Sequence, residues 1–304
     1  MTRTHTAAAV GVALLWGVNF VVIHVGLQST PPLLLAALRF ALVAALGLPF
    51  VRRPALPWPR LVALGLTLYV GQFGCLFTAM HLGLPAGLAA VVLQSQVVFT
   101  FAGAVGLLGE RPAPAAAVGV GVAAAGLAAI GLDAGTHLAA AGFALCVAGG
   151  ASWAAGNLIA RRSGVTQGLS LVVWGSAVAT PPLALLAVLD AGGWRPAARA
   201  LQHVDAAGLA ALAYLVVAAT VVGFGTWSAL LGRYPAATVA PFTMLVPPVG
   251  LMASWLALGE RPGPVALAGS AAVVAGIAGP ALLARRRSDR RPAAAAGRAE
   301  AAAV

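Results

Sequence analysis

Charge is scarce in this chain. Only 8% of its 304 residues are charged, against 61% hydrophobic, and the mean hydropathy is +0.96. A soluble domain carries about 25% charged residues. A soluble fold of this length has too little interior to hide so much apolar surface, so lipid must be the solvent for much of it. Lysine is absent: all 18 basic residues are arginine. The two cysteines, Cys75 and Cys146, both fall inside apolar runs. They read as small core residues and exclude a disulfide framework. No Cys/His grouping has metal-ligand spacing. No Gly-x-Ser-x-Gly elbow or intramembrane Ser/His pair suggests a hydrolase. Gly119, Gly121 and Gly126 mimic a nucleotide loop, but they follow no strand and open no phosphate-facing turn. No cofactor, metal or catalytic group is expected.

Acidic residues are scarcer still. Glu110, Asp133, Asp190, Asp205 and Glu260 lie at the ends of apolar runs or between them, and none lies inside one. That excludes a proton antiporter built on a central membrane carboxylate. Glu110 and Glu260 are expected to tie Arg111, Arg261 or helix ends at their turns. The net charge of +11 would suggest nucleic acid in a soluble protein. Here the arginines are better explained as topology signals, and the expected partners are a lipid bilayer and a small molecule.

What is abundant is apolar sequence in lengths that fit a bilayer. Runs of about 20 residues cross the hydrocarbon at 1.5 Å per residue. They fall near 7–26, 32–51, 61–80, 86–108 and 114–131, then near 138–160, 168–189, 208–231, 236–258 and 264–284. The first run lacks a signal-peptide cleavage site and reads as a membrane helix. Connections are short, apart from a polar stretch at 190–207 that reads as a loop, and 285–304 reads as a disordered tail.

The two sets of five runs are related. Leu108-Gly109-Glu110-Arg111-Pro112 returns as Leu258-Gly259-Glu260-Arg261-Pro262, 150 residues later. Pro85-Ala86 recurs as Pro235-Ala236 with the same offset, and Trp16 with Asn19 is echoed by Trp153 with Asn157. An apolar chain with internal symmetry is the usual sign of a transporter. Five spans per unit is odd, so the second unit must enter the membrane inverted. The fold expected is an all-α integral membrane protein. Its ten transmembrane helices form two inverted five-helix repeats over 7–131 and 138–284.

With the N-terminus in the cytoplasm, Arg3, Arg52, Arg53, Arg60, Arg111, Arg161, Arg162, Arg233, Arg285, Arg286, Arg287, Arg290, Arg291 and Arg298 lie inside. Only Arg195, Arg199 and Arg261 lie outside. This bias places both termini in the cytoplasm. Gly119, Ala123 and Gly126, with Ala272 and Gly276, follow the small-x-x-x-small spacing that lets membrane helices approach closely.

Polar side chains inside hydrocarbon are expensive and therefore informative. Arg39 sits roughly 10 Å inside its run by helical rise. It can hold a substrate carboxylate with two parallel hydrogen bonds, or clamp carbonyls or snorkel to the interface. Trp16, Asn19 and His24 share the first run. Asn19 and its echo Asn157 can offer donor and acceptor to a zwitterion, or bond helix to helix. His24 can titrate near neutral pH or be a satisfied interfacial histidine. Gln72, Gln94 and Gln96 place amides in the third and fourth runs, with less polar counterparts in the second half. Trp153, Trp174 and Trp227 can wall a cavity or simply pack. Pro181-Pro182 and Pro247-Pro248 remove backbone donors and can kink their helices.

At Trp16-Gly-Val-Asn19-Phe, Ala37-Leu-Arg39-Phe40, Leu84-Pro85-Ala86 and the twin Gly-Glu-Arg-Pro turns, the chain resembles the EamA family of the drug/metabolite transporter superfamily. The resemblance spans about residues 8–283. Along 16–27, 31–40, 83–100, 153–157 and 232–251 it is most similar to the O-acetylserine/cysteine exporter subgroup. It implies ten helices in inverted repeats, an inner-membrane location and efflux of small metabolites. His24 stands where related chains often carry lysine. The reading that follows is an exporter of amino acids or derivatives, working by alternating access around Arg39, Asn19, Asn157 and the glutamines. A broad drug or toxicant efflux pump is the alternative within transport, and a membrane enzyme the remote one.

Overall fold

The computed structural model describes residues 1–133, 137–164 and 168–279. The expected tail at 285–304 lies outside the described residues. Among the described residues every regular element is helical. We number the helices in chain order. They are α1 (Arg3–Gly26), α2 (Pro32–Gly47), α3 (Trp58–His81), α4 (Ala86–Leu108), α5 (Pro114–Asp133), α6 (His137–Arg162) and α7 (Leu169–Asp190). There follow α8 (Trp194–Gln202), α9 (Ala206–Leu231), α10 (236–258) and α11 (Pro264–Gly279). Eight of these are long and apolar enough to cross a membrane, while α2 and α11 are shorter apolar helices.

Local chemistry sets the ends. Prolines occupy the first or second position of α2, α3, α5 and α11, where the missing N–H has no partner to lose. Gly109 and Gly259 end α4 and α10 at φ 67° and 68°, a left-handed cap that glycine adopts without steric cost. Large apolar side chains such as Leu132, Leu256, Leu107 and Leu185 stay on the surface. A water-soluble monomer rarely carries so much exposed apolar area; lipid tolerates it.

The stretch at 190–207 is not a plain loop. It contains the helix α8, whose arginines Arg195 and Arg199 share a short element with the exposed Trp194. A nine-residue helix with one polar face lies outside the reach of a search for 20-residue apolar runs. The third and ninth helices also depart from ideal geometry. Each widens into a π-helical stretch, Leu66–Gly71 in α3 and Tyr214–Val222 in α9. In α10, Ala240–Leu245 tightens to a 3₁₀ stretch just before Pro247-Pro248. Pro181 and Pro182 lie within α7, where the Thr180 and Ser176 hydroxyls donate to the carbonyls four residues back.

α2 packs along α7 and α4 along α10, each pairing joining the two halves of the chain. α1 lies against α10 and α9, while α6 lies against α4 and α3. The core runs through these contacts, with Phe40, Phe77, Leu61, Leu171 and Leu215 fully buried. α5 and α11 meet over small residues. A Cβ on Gly126 would come within 2.5 Å of the Gly269 carbonyl and 2.9 Å of the Ala272 Cβ. This is the close approach that the small-x-x-x-small spacing anticipates.

Candidate functional site

Arg39 is 3% exposed, at the junction of the two halves. Its Nη2 donates to Thr220 Oγ1 at 3.2 Å. Thr220 Oγ1 in turn donates to the Leu215 carbonyl five residues back, at 2.7 Å, a spacing that the π-helical stretch makes available. The guanidinium carbon lies 4.6 Å from the Phe73 ring centroid and 5.4 Å from that of Phe40. These faces attract the cation without satisfying its N–H groups. Nε and Nη1 remain buried with no hydrogen-bond partner among the described residues. Two buried cationic donors without acceptors are costly, and an anionic group is the partner they suit.

The same stretch of α9 receives Trp16. Its Nε1 donates to the Ala219 carbonyl at 3.0 Å, one residue before Thr220. Trp16 also stacks at a tilt on Phe224 and Trp227, at 5.0 and 5.4 Å between centroids. Trp16 and Arg39 therefore gather with Trp227 along the 219–227 stretch of α9. Asn19 is buried, and its Oδ1 has no hydrogen-bond partner among the described residues.

The second grouping is separate. Asn157 Nδ2 donates to Gln96 Oε1 at 3.1 Å, and Thr100 Oγ1 reaches the same oxygen at 3.4 Å. Gln96 and Thr100 line a cavity of about 310 Å³ bounded by α4, α5, α6 and α11. Gln72 is buried in α3. Gln94 stands at the break between two stretches of α4 and caps the second through its backbone. Trp153 packs against the main core, and Trp174 Nε1 donates to the Val51 carbonyl at 3.0 Å. His24 pairs with Gln28 in the turn just past the end of α1, Nε2 to Nε2 at 3.3 Å, and among the described residues no hydrogen bond joins it to Arg39 or the Gln96 group.

Sequence reasoning missed Thr220, because a threonine in an apolar run carries no signal until its helix widens. It also missed the cross-half use of Glu260. The Glu260 carboxylate accepts from the Ala86 and Gly87 N–H groups at 2.8 and 2.9 Å, capping the start of α4. A helix-end role was expected, though not whose helix. Glu110 does not tie Arg111. Its Oε1 pairs with Arg161 Nη2 at 2.7 Å on the half-exposed rim of the cavity. Among the described residues no three His, Cys, Asp or Glu side chains group so as to hold a metal.

Residues 5–132 and 140–280 each match the EamA-like transporter family. The chain belongs to that family. It is 41% identical over 284 residues to the probable amino-acid metabolite efflux pump of Salmonella typhimurium, covering 91% of this chain and 94% of the relative. It is 40% identical over 267 residues to the protein of the same name from Escherichia coli, covering 86% and 89%. A crystal structure of a chain 22% identical superposes with a TM-score of 0.63, over 94% of this chain and 99% of the other. That likeness concerns the fold alone. An EamA-family chain with this many apolar helices is a membrane transporter.

Proposed function

We propose that this EamA-family protein exports small amino-acid metabolites of the cysteine/O-acetylserine class across the inner membrane by alternating access. The observation that carries the reading is Arg39. It is a buried guanidinium with two open donors, held at the contact of the two halves. A carboxylate docked there gains two charge-assisted hydrogen bonds and relieves an otherwise costly burial. The relatives above are named as probable amino-acid metabolite efflux pumps, which supports the amino-acid metabolite part of the reading. Asn19 and Asn157 fix further polar groups, and Gln72, Gln94 and Gln96 line the path. Trp16 and Trp227 supply apolar walls.

The reading includes ten spans, α2 and α11 crossing with the eight longer helices, arranged as two inverted repeats at 7–131 and 138–284. Pairing supports it: α1–α10 has its counterpart in α6–α4, and α1–α9 in α6–α3. The π-helical stretches fall in the corresponding third span of each half, and the left-handed glycines end the corresponding fourth spans. The arginine bias favours both termini in the cytoplasm. Rocking one half against the other about this contact alternates access. No chemical step is required.

Counterflow of radiolabelled cysteine and O-acetylserine in liposomes holding the purified protein tests the reading. Uptake driven by unlabelled internal substrate is expected, and a pH gradient tests coupling. Folded protein that exchanges neither solute overturns the substrate class.

A further inference from the structure

Glu110 and Glu260 occupy equivalent places in the two copies of the Gly-Glu-Arg-Pro turn, and both follow a left-handed glycine. Their carboxylates do different things. Glu260 is committed to the backbone of α4 through two short hydrogen bonds. Among the described residues Glu110 has no such backbone partners; it faces Arg161, and the two side chains are 41% and 50% exposed. Both charged groups line the cavity of about 310 Å³. Between them and its Gln96 end lie apolar walls: Val97, Phe101 and Ala104 on α4, with Val120 and Ile277 opposite. Gln96 is held at that end by Asn157.

We infer that this cavity is a first binding station for the substrate, where Glu110 takes its ammonium, Arg161 its carboxylate, and the apolar walls its side chain. The inference rests on the proposed export of amino-acid metabolites and adds a site distinct from Arg39. A zwitterion presents both charges on one carbon, and a carboxylate and guanidinium paired at 2.7 Å can each take one of them when the ligand separates the pair. A half-exposed ion pair contributes little to stability, so a ligand that splits it loses little and gains two charge-assisted contacts. The volume suits a small metabolite, being at the lower end of the range for ligand pockets. Gln96 and Thr100, at four-residue spacing on the same face of α4, form the polar inner end of the cavity. Arg111, Arg161 and Arg162 surround the mouth in sequence, so under the proposed topology it opens to the cytoplasm, where an exporter collects its load.

The test compares three inhibitors of labelled-cysteine counterflow in wild type, Glu110→Gln and Arg161→Gln. They are unlabelled cysteine, N-acetylcysteine, which lacks the ammonium, and cysteamine, which lacks the carboxylate. Glu110→Gln is expected to erase about tenfold of the preference for cysteine over N-acetylcysteine, and Arg161→Gln about tenfold of that over cysteamine. Thermal-shift titration of the detergent-solubilised proteins with the same three compounds reads the same ratios in any variant whose turnover is lost. Wild-type ratios in both variants overturn this inference and leave the export reading standing. A wild type that carries neither cysteine nor O-acetylserine overturns both.

Discussion

Arg39 and Thr220 are 181 residues apart in sequence and joined by a 3.2 Å hydrogen bond in the buried core. The bond holds the guanidinium of α2 against the widened turn of α9 and leaves its other donors open. Arg39→Ala is expected to abolish export while leaving the amount of protein in the membrane unchanged. Arg39→Lys keeps the charge but loses the fork of donors, and is expected to retain at most about one tenth of the activity. Thr220→Val removes only the orienting hydroxyl. It is expected to raise the half-saturation for substrate about three- to tenfold with a smaller change in maximal rate. Quantitative blotting beside counterflow checks all three. Export that persists in Arg39→Ala overturns the anchoring role.

Glu260 ties the end of α10 to the start of α4 across the halves. Glu260→Ala leaves two N–H groups at a helix start without their acceptor. It is expected to lower stability by about 1–2 kcal/mol, read as a lower Tm of the purified protein. Glu260→Gln keeps one acceptor oxygen and is expected to lose about half as much. Glu110→Ala, whose carboxylate sits in a half-exposed ion pair, is expected to shift Tm far less.

Gly276 packs on the backbone of Gly119 and Ala123. A branched side chain there has no space to occupy and would push α11 from α5. Gly276→Val is expected to cost about 1–3 kcal/mol through overpacking. Gly121, with open space beside it, is the matched control. Gly121→Ala is expected to leave Tm unchanged or raise it slightly. Equal Tm losses in the two variants would show that the α5–α11 contact is not tight.

Asp205 caps the start of α9. Its Oδ1 accepts from the Gly208 N–H at 2.7 Å and from Ser29 Oγ at 2.8 Å. These bonds, the backbone one foremost, hold its carboxyl below the usual carboxylate range. A depressed folded-state value means that its stabilisation is complete above the ordinary carboxylate pKa of about 3.9. It is lost as the pH falls through the lower folded value. Wild-type Tm is therefore expected to drop more steeply than that of Asp205→Asn on acidification below about pH 4. Parallel Tm curves for the two would refute the assignment.

The sites differ in how far they could be read from the chain. Arg39 and Asn19 stand out because a charged or amide side chain in an apolar run must have a reason. The Asn157 echo is legible because it repeats. Thr220, by contrast, is one hydroxyl in Val-Ala-Ala-Thr-Val, and it bonds the Leu215 carbonyl of its own helix. Its second role, accepting from Arg39, comes only from the packing of α2 on the π-helical stretch of α9. α8 escaped because nine residues with mixed polarity match neither a span nor a turn signal.

Composition, run length and the repeated turns determined that this is a helical membrane protein of a transporter family, since solvent preference and glycine or proline geometry are local properties that each stretch carries on its own. The tertiary structure decided the pairings: Arg39 with Thr220, Asn157 with Gln96, Glu260 with α4 and Glu110 with Arg161. Helices that are apolar all round have no strongly favoured face. Which polar side chains meet therefore depends on which helices pack together, and close backbone contacts between distant parts of the chain set that packing.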